Sequence, residues 1–186
     1  TLARVLLGLL RPDAGTVRAF GIDPVQSPEQ TLSRIGYLSE NREIPGWMRI
    51  SELIAYTRAF YPKWDDAYAA ELLHAFKLDP TARVKNLSRG QRAQAALLIA
   101  LAYRPELLLL DEPSSGLDPV VRRNILTTII RGVVNEGRTV LLSSHLLDEV
   151  ERMVDHVAMV HEGRIVLCAT LDELQRQHRR VTVRLA

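Results

Sequence analysis

Along the chain the spacing of apolar positions switches repeatedly between helical and strand periods. Leu2, Val5, Leu6, Leu9 and Leu10 recur at helical spacing, which predicts one apolar-faced helix at the start. "PDAG" then reads as a turn and "TVRAFG" as a short strand; "RIGYLSEN" contains another strand, ending near Leu38. From about Arg42 the texture turns helical. "ISELIAYTRAFYP" and "WDDAYAAELLHAFKL" are amphipathic; in the second, Tyr68, Leu72, Leu73 and Phe76 share a face, and Asp65 or Asp66 can cap. "LSRGQRAQAALLIALAYRP" is a third helix, strongly apolar, stopped before Pro105. Strand signals return with "ELLLLDEP", a run apolar enough for a central parallel strand covered on both faces. "DPVVRRNILTTIIRGVVNEG" predicts a helix ending at Gly137 and "RTVLLSSH" a second buried strand. "LLDEVERMV" reads as a helix, "HVAMVHEGRIVLCAT" as two strands around a Glu-Gly turn, "LDELQRQHR" as a short helix and "VTVRLA" as a last strand. Strands alternating with helices around an all-helical block predict an α/β protein: a parallel sheet flanked by helices, with an inserted helical subdomain. The expected division is an α/β core of residues 1–41 and 104–186, and a helical subdomain of residues 42–103.

Composition narrows this only slightly. Of 186 residues, 47% are hydrophobic and 25% charged, an ordinary globular balance, and a net charge of +2 gives no reason to expect nucleic acid as a partner. The basic end, "RQHRRVTVRLA", reads as a solvated face. The single cysteine, Cys168, excludes a disulfide framework, fits a reducing cytosol, and is expected to pack within its strand. The longest apolar run, residues 95–103, is far short of the roughly 20 residues of a membrane span. The opening apolar stretch runs straight into "RPDAG" without a small-residue cleavage site, unlike a signal peptide.

Ligands of open parallel sheets bind beyond the carboxyl ends of the strands. Three polar clusters stand there: Ser39-Glu40-Asn41, Asp111-Glu112 and Ser143-Ser144-His145. An acidic pair after four leucines suits Mg²⁺, which takes carboxylate oxygen directly or through water, and the second acid can polarise an attacking water. Taken alone, "DE" is equally well a strand end leading into a turn at Pro113. "NLSRGQRAQ" likewise carries two compatible readings. Ser88 with Gln91 has capping-box spacing, and a Ser-capped helix start beside Gly90 presents backbone N–H groups to a phosphate.

Taken together, "LSRGQ" (87–91), "LLLLDEP" (107–113), "SGLD" (115–118) and "LLSSH" (141–145) stand in the order and spacing of ATP-binding-cassette (ABC) ATPases. They resemble the signature motif, Walker B, D-loop and H-loop, and "IGYLSE" resembles the Q-loop region, with Glu40 where most members have Gln. "AFYPKWDD" and "GLDPVVRR" resemble export-type bacterial members encoded beside a separate permease. The resemblance implies a P-loop NTPase-type sheet, ATP and Mg²⁺ as ligands, and a head-to-tail pair of ATP-binding subunits driving a transmembrane permease from the cytoplasmic face of the membrane. It implies that Asp111 holds Mg²⁺ through water, that Glu112 is the catalytic carboxylate that activates the hydrolytic water, and that His145 contacts the γ-phosphate. Ser88 and Gly90, with Gln91 in the same stretch, would meet the γ-phosphate of ATP on the second subunit. Asp118 would signal across that interface. Glu40 would sit near Mg²⁺ and the attacking water and link the site to the permease. Two departures stand out: Arg89 occupies the slot of the first glycine of LSGGQ, and Glu40 brings an anion to a usually neutral position.

The phosphate cradle G-x-x-x-x-G-K-[ST] does not occur in the sequence, and lysine occurs only at Lys63, Lys77 and Lys85. The opening "TLARVLLGLL" resembles the helix that follows this cradle in the family, with Thr1 a hydroxyl neighbour of the phosphates. The expectation is a chain truncated just after the cradle, which by itself binds ATP weakly and does not turn it over. Two other readings are kept: a soluble ABC ATPase of translation or DNA repair, and a regulatory module that never had a cradle. The coding sequence upstream of Thr1 and a neighbouring permease gene discriminate among them. His74 is expected to be partly buried or solvated, and His161, just before the Glu-Gly turn, exposed. Trp47 and Trp64, flanking the first helix of the helical block, are expected either in its core or lining a groove for the permease.

Overall fold

The computed structural model describes residues 2–134, 136–146, 151 and 153–177. Thr1, most of the predicted helix "LLDEVERMV", and the "VTVRLA" strand lie outside the described residues. The chain forms two compact units, Thr1–Ser143 and Ser144–Ala186, each taken by itself below.

In the first unit three parallel strands lie side by side in the order β1 (Ile35–Leu38), β2 (Leu107–Asp111), β3 (Thr139–Ser143). Parallel neighbours require long crossovers. The short helix α2 (Pro28–Leu32) precedes β1; the β1–β2 crossover carries the helices α3 (Ile50–Arg58), α4 (Asp66–Ala75) and α5 (Arg89–Leu101), and the β2–β3 crossover carries α6 (Pro119–Ile129). The leucines of β2 are its reason for being central. Leu108, Leu109 and Leu110 are buried, as are Leu97, Leu98 and Leu101 of α5 and Ile125 and Ile129 of α6. Burying each such side chain contributes about 1.5–3 kcal/mol.

Local chemistry sets the helix ends. Asp65, not Asp66, caps α4: its carboxylate accepts the Tyr68 N–H at 2.9 Å. That bond is the main reason the Asp65 carboxyl lies below its ordinary range, with Arg104 as the second partner. Arg104 bridges Asp65 (3.0 Å) and Glu136 (2.7 Å) and lies over the Tyr68 ring at 3.6 Å. The predicted face of α4 is observed, with Tyr68, Leu72 and Phe76 buried. Gly36 allows α5 to rest directly on β1, because a Cβ there would stand 2.6 Å from the Ala100 carbonyl oxygen.

Several expectations are corrected. The first helix, α1 (Leu2–Leu6), stops short of Leu10. Gly8, at φ +70, donates to Val5 O (3.0 Å), and Leu9 donates to Arg4 O (2.9 Å). This is a Schellman stop, and it takes Leu9 and Leu10 off the helix and leaves them exposed. "TVRAFG" makes no strand. Phe20 (φ +55) and Gly21 (φ +78) fold the chain back after a single Ala19–Ile22 bridge. The strand β3 is not buried like β2: it alternates exposed and half-buried, with Leu141 42% exposed. Among the described residues β3 pairs with β2 alone, so its other edge lacks the cover that β2 has on both sides. The long predicted helix after Asp118 is α-helical only to Ile129 and widens into a π turn over Ile130–Val134.

In the second unit, β4 (His156–His161) and β5 (Arg164–Thr170) form an antiparallel hairpin around Glu162 (φ +49) and Gly163 (φ +75), as the Glu-Gly turn predicts. The short helix α7 (Leu171–Gln177) follows, opened by reciprocal Thr170–Glu173 bonds of 3.0 and 3.2 Å. Cys168 is exposed on β5, against the expectation that it packs; Val160, Ile165 and Val166 of the hairpin are exposed too. No helix among the described residues is long and apolar enough to cross a membrane.

Candidate functional site

The register of the sheet aligns the three strand ends. Leu38 stands opposite Leu110, and Asp111 opposite Ser143. The Ser39-Glu40 turn, the Asp111-Glu112 pair and Ser143 therefore leave the sheet at one rim. An open groove of about 700 Å³ runs along it, lined by Arg4, Tyr37, Ser39, Glu40 and Asp111 among others. Burial, with the Asp111 charge second, raises the Tyr37 hydroxyl above its ordinary value. The groove floor is stiffened by Tyr103, whose ring stacks on Tyr61 at 3.7 Å and whose hydroxyl donates to Ile35 O at 2.7 Å.

Ser143 ties the two acidic positions together. Its hydroxyl donates to Asp111 Oδ1 at 2.6 Å and accepts from the Glu112 N–H at 3.1 Å. The same Glu112 N–H lies 3.2 Å from Ser143 O. Glu112 has φ +48, the left-handed region, which costs a side-chain-bearing residue about 1–2 kcal/mol. Such strain persists where the surroundings over-determine it, and functional sites are where it collects. The turn that follows is compact: Ser115 N–H donates to Glu112 O at 3.1 Å and Leu117 N–H to Ser114 O at 3.2 Å.

Asp118 ends that turn as the cap of α6, its Oδ1 accepting from the Val120 and Val121 N–H groups, both at 3.0 Å. Ser88 and Gln91 close a capping box at the head of α5: Gln91 N–H donates to Ser88 Oγ at 3.2 Å, and Ser88 N–H to Gln91 Oε1 at 3.0 Å. Gly90 is buried against α6, a Cβ there standing 3.0 Å from a Val121 methyl. The Arg89 guanidinium lies beside Gly116, 2.6 Å from where a Cβ on that glycine would be.

The structure thus brings Asp111, Glu112 and Glu40 to the rim of one sheet in the first unit. Ser88, Gly90, Gln91 and Asp118 lie at two helix starts of the same unit. His145, exposed, belongs to the second unit, and Thr1 lies outside the described residues. Ser143, named in the sequence only as part of the Ser143-Ser144-His145 cluster, gains a definite task from its strand register with Asp111. Arg42, buried under the turn, joins the site without having been singled out, and no sequence signal exists for it.

Among the described residues no group of three His, Cys, Asp or Glu side chains could hold a metal ion. Mg²⁺ keeps several waters and needs one or two carboxylates. Asp111, half-exposed at the groove and held by Ser143, presents one carboxylate there, with Glu40 lining the same groove.

Residues 1–115 match the family model described as "ABC transporter". The chain is 29% identical over 178 residues to the ABC transporter ATP-binding protein YtrB of Bacillus subtilis, covering 96% of this chain and 61% of that protein. It is 37% identical over 180 residues to the daunorubicin resistance ATP-binding protein DrrA3 of Streptomyces coeruleorubidus, covering 94% of this chain and 57% of that protein. It therefore spans less than two thirds of these relatives' length. The solved structure of an ATP-binding subunit of an ABC transporter superposes with a TM-score of 0.83 at 24% identity, covering 95% of this chain and 75% of that one, and shares its fold. On the family match over residues 1–115, together with these relatives, the chain belongs to the ABC transporter ATP-binding family.

Proposed function

We propose that this chain is the catalytic part of an ATP-binding subunit of a bacterial ABC transporter, in which ATP binding and hydrolysis drive a separate permease. The observation that carries the reading is the shared rim: parallel register sets Asp111 and Glu112 beside Ser143 at the mouth of an open groove. Mg²⁺ held by Asp111, with Glu40 alongside, would neutralise phosphate charge. The chain's own contribution is positioning. Ser143 orients Asp111 and pins the Glu112 backbone, and the Glu112 carboxylate orients the attacking water and takes its proton. His145 would contact the γ-phosphate.

The subunit works in a head-to-tail pair. The head of α5, where Ser88 and Gln91 are exposed and Gly90 lets α6 pack close, turns its N-terminus to ATP on the second subunit, and Asp118 stands at that junction. The permease docks on the helical block, residues 42–103. Trp47, beside the groove loop, is 69% exposed rather than packed in the core, while Trp64 is half-buried. An exposed tryptophan with Tyr56 and Phe60 exposed on and just beyond α3 suits an apolar partner segment. The place of action is the cytoplasmic face of the membrane. The name of one relative, a resistance protein, supports outward transport of a drug-like compound.

The experiment is Mg²⁺-dependent ATP hydrolysis by the protein as its gene encodes it. Hydrolysis should vanish in Glu112→Gln while the ATP-dependent dimer persists, read as mass in solution. A Glu112→Gln protein that hydrolyses as fast as the parent sinks the assignment. A protein that never dimerises with ATP sinks the head-to-tail arrangement and favours the regulatory-module alternative.

A further inference from the structure

Arg42 is the one charged side chain in the buried class among the described residues, with 4% of its surface exposed. Among the described residues no carboxylate is hydrogen-bonded to it. Burial is the main force lowering its pKa, with the positive charge of Arg89 second and Glu40 acting in the opposite sense. Its backbone sits at φ +50, so this residue is both strained and desolvated. Such a placement requires strong compensation, and the compensation is specific. One guanidinium nitrogen donates to two carbonyls, Pro113 O at 3.1 Å and Ser115 O at 2.8 Å, straddling the fully buried Ser114.

Counting the backbone groups of the turn shows what this achieves. Glu112 O accepts from Ser115 N–H and Ser114 O from Leu117 N–H. Pro113 O and Ser115 O receive their donors from Arg42, and a buried carbonyl left without one is costly. On the other side of the turn, the Glu112 N–H is held by Ser143. Arg42 itself is fixed to the loop after β1, its N–H donating to Ser39 O at 3.0 Å. The loop that carries Glu40 and the turn that carries Glu112 thus share one side chain.

We propose that Arg42 is a positioning residue: it fastens the Glu112–Leu117 turn to the Ser39–Glu43 loop, so that displacement of that loop moves the hydrolytic carboxylate. The functional half rests on the ATPase reading above; the structural half does not. The test uses Arg42→Met, which keeps bulk without donors, and Arg42→Lys, which keeps the charge and one donor nitrogen with three N–H groups. Two quantities are read on the protein as its gene encodes it. In Arg42→Met the amides of Ser115 and Leu117 should exchange with solvent about tenfold faster, the loss of roughly one hydrogen bond's worth of protection, while β2 amides stay unchanged. In the same variant kcat should fall roughly 10²-fold, the scale of a misplaced catalytic group, with KM nearly unchanged, and Arg42→Lys should recover most of it. Unchanged turn exchange in Arg42→Met overturns the clamp. A changed KM with kcat intact, or a Lys variant no better than Met, overturns the positioning role. If Arg42→Met does not fold, Arg42→Lys alone decides, by turn exchange between the parent's and tenfold faster. A parent that hydrolyses no ATP defeats the functional reading, and turn exchange then decides the clamp on its own.

Discussion

The head of α5 and the end of β2 carry the two most recognisable stretches of the chain, and they are built on opposite terms. At the head of α5, Ser88 and Gln91 satisfy each other with two bonds, and the backbone is extended at Ser88 as a cap should be. A protein with no function there would choose the same residues. At the end of β2, Glu112 occupies a left-handed conformation that a glycine would hold more easily, kept in place by Ser143 and by the carbonyls that Arg42 grips. A left-handed backbone does not select glutamate. The first region is chosen for the fold and serves chemistry as well; the second is kept despite the fold.

That contrast can be broken in several ways. The largest effect is on rate: Glu112→Gln should lower ATP turnover by about 10²–10⁴-fold, the usual worth of a general base, with the melting temperature unmoved. A large loss of stability instead would make Glu112 a structural residue after all. Next comes Asp118, which accepts two N–H groups. Asp118→Ala should lose about 1–2 kcal/mol in urea unfolding, whereas Asp118→Asn, an equally good cap, should not. A stable Asp118→Asn protein with impaired ATP-dependent dimerisation would show a second role in the same carboxylate. The two regions then make a matched pair. Ser88→Ala should destabilise by about 1 kcal/mol, and Glu112→Gly should stabilise by ~0.5 kcal/mol while abolishing turnover. Equal signs in the two unfolding curves would dissolve the comparison.

The smallest effect is a titration. Asp65, another cap, is held below its ordinary value of 3.8 first by the Tyr68 N–H and then by Arg104. A depressed carboxylate stabilises the fold above its unfolded value, and that stabilisation fades as pH falls through the folded one. The unfolding midpoints of the parent and Asp65→Asn should differ above about pH 4 and converge below it. A gap that persists at lower pH would assign the effect to shape rather than charge.

Much of this was legible from the residues alone. The central strand, the α5 capping box, the α4 face and the Glu-Gly hairpin follow from patterns of a few neighbours, and so did the rim of acids. What the sequence hid depends on partners far along the chain. The burial of Arg42 is decided by carbonyls some 70 residues away. The exposure of β3 depends on which strands flank it, and "VLL" reads alike at an edge and in the middle. The early end of α1 was signalled by Gly8, but the leucines after it kept helical spacing and masked the stop.

The missing Cβ of Gly36 has a mechanical meaning. The tail of α5 lies on β1 at backbone distance, and the helix runs 13 residues, about 20 Å, to its head at Ser88. Its head is seated closely too, with Gly90 lying against Val121 of α6. A rod held by a glycine at each end keeps a fixed pitch, and any side chain at position 36 would lift the tail and tip the head off α6. The smallest residue of β1 therefore levels the helix that carries Ser88.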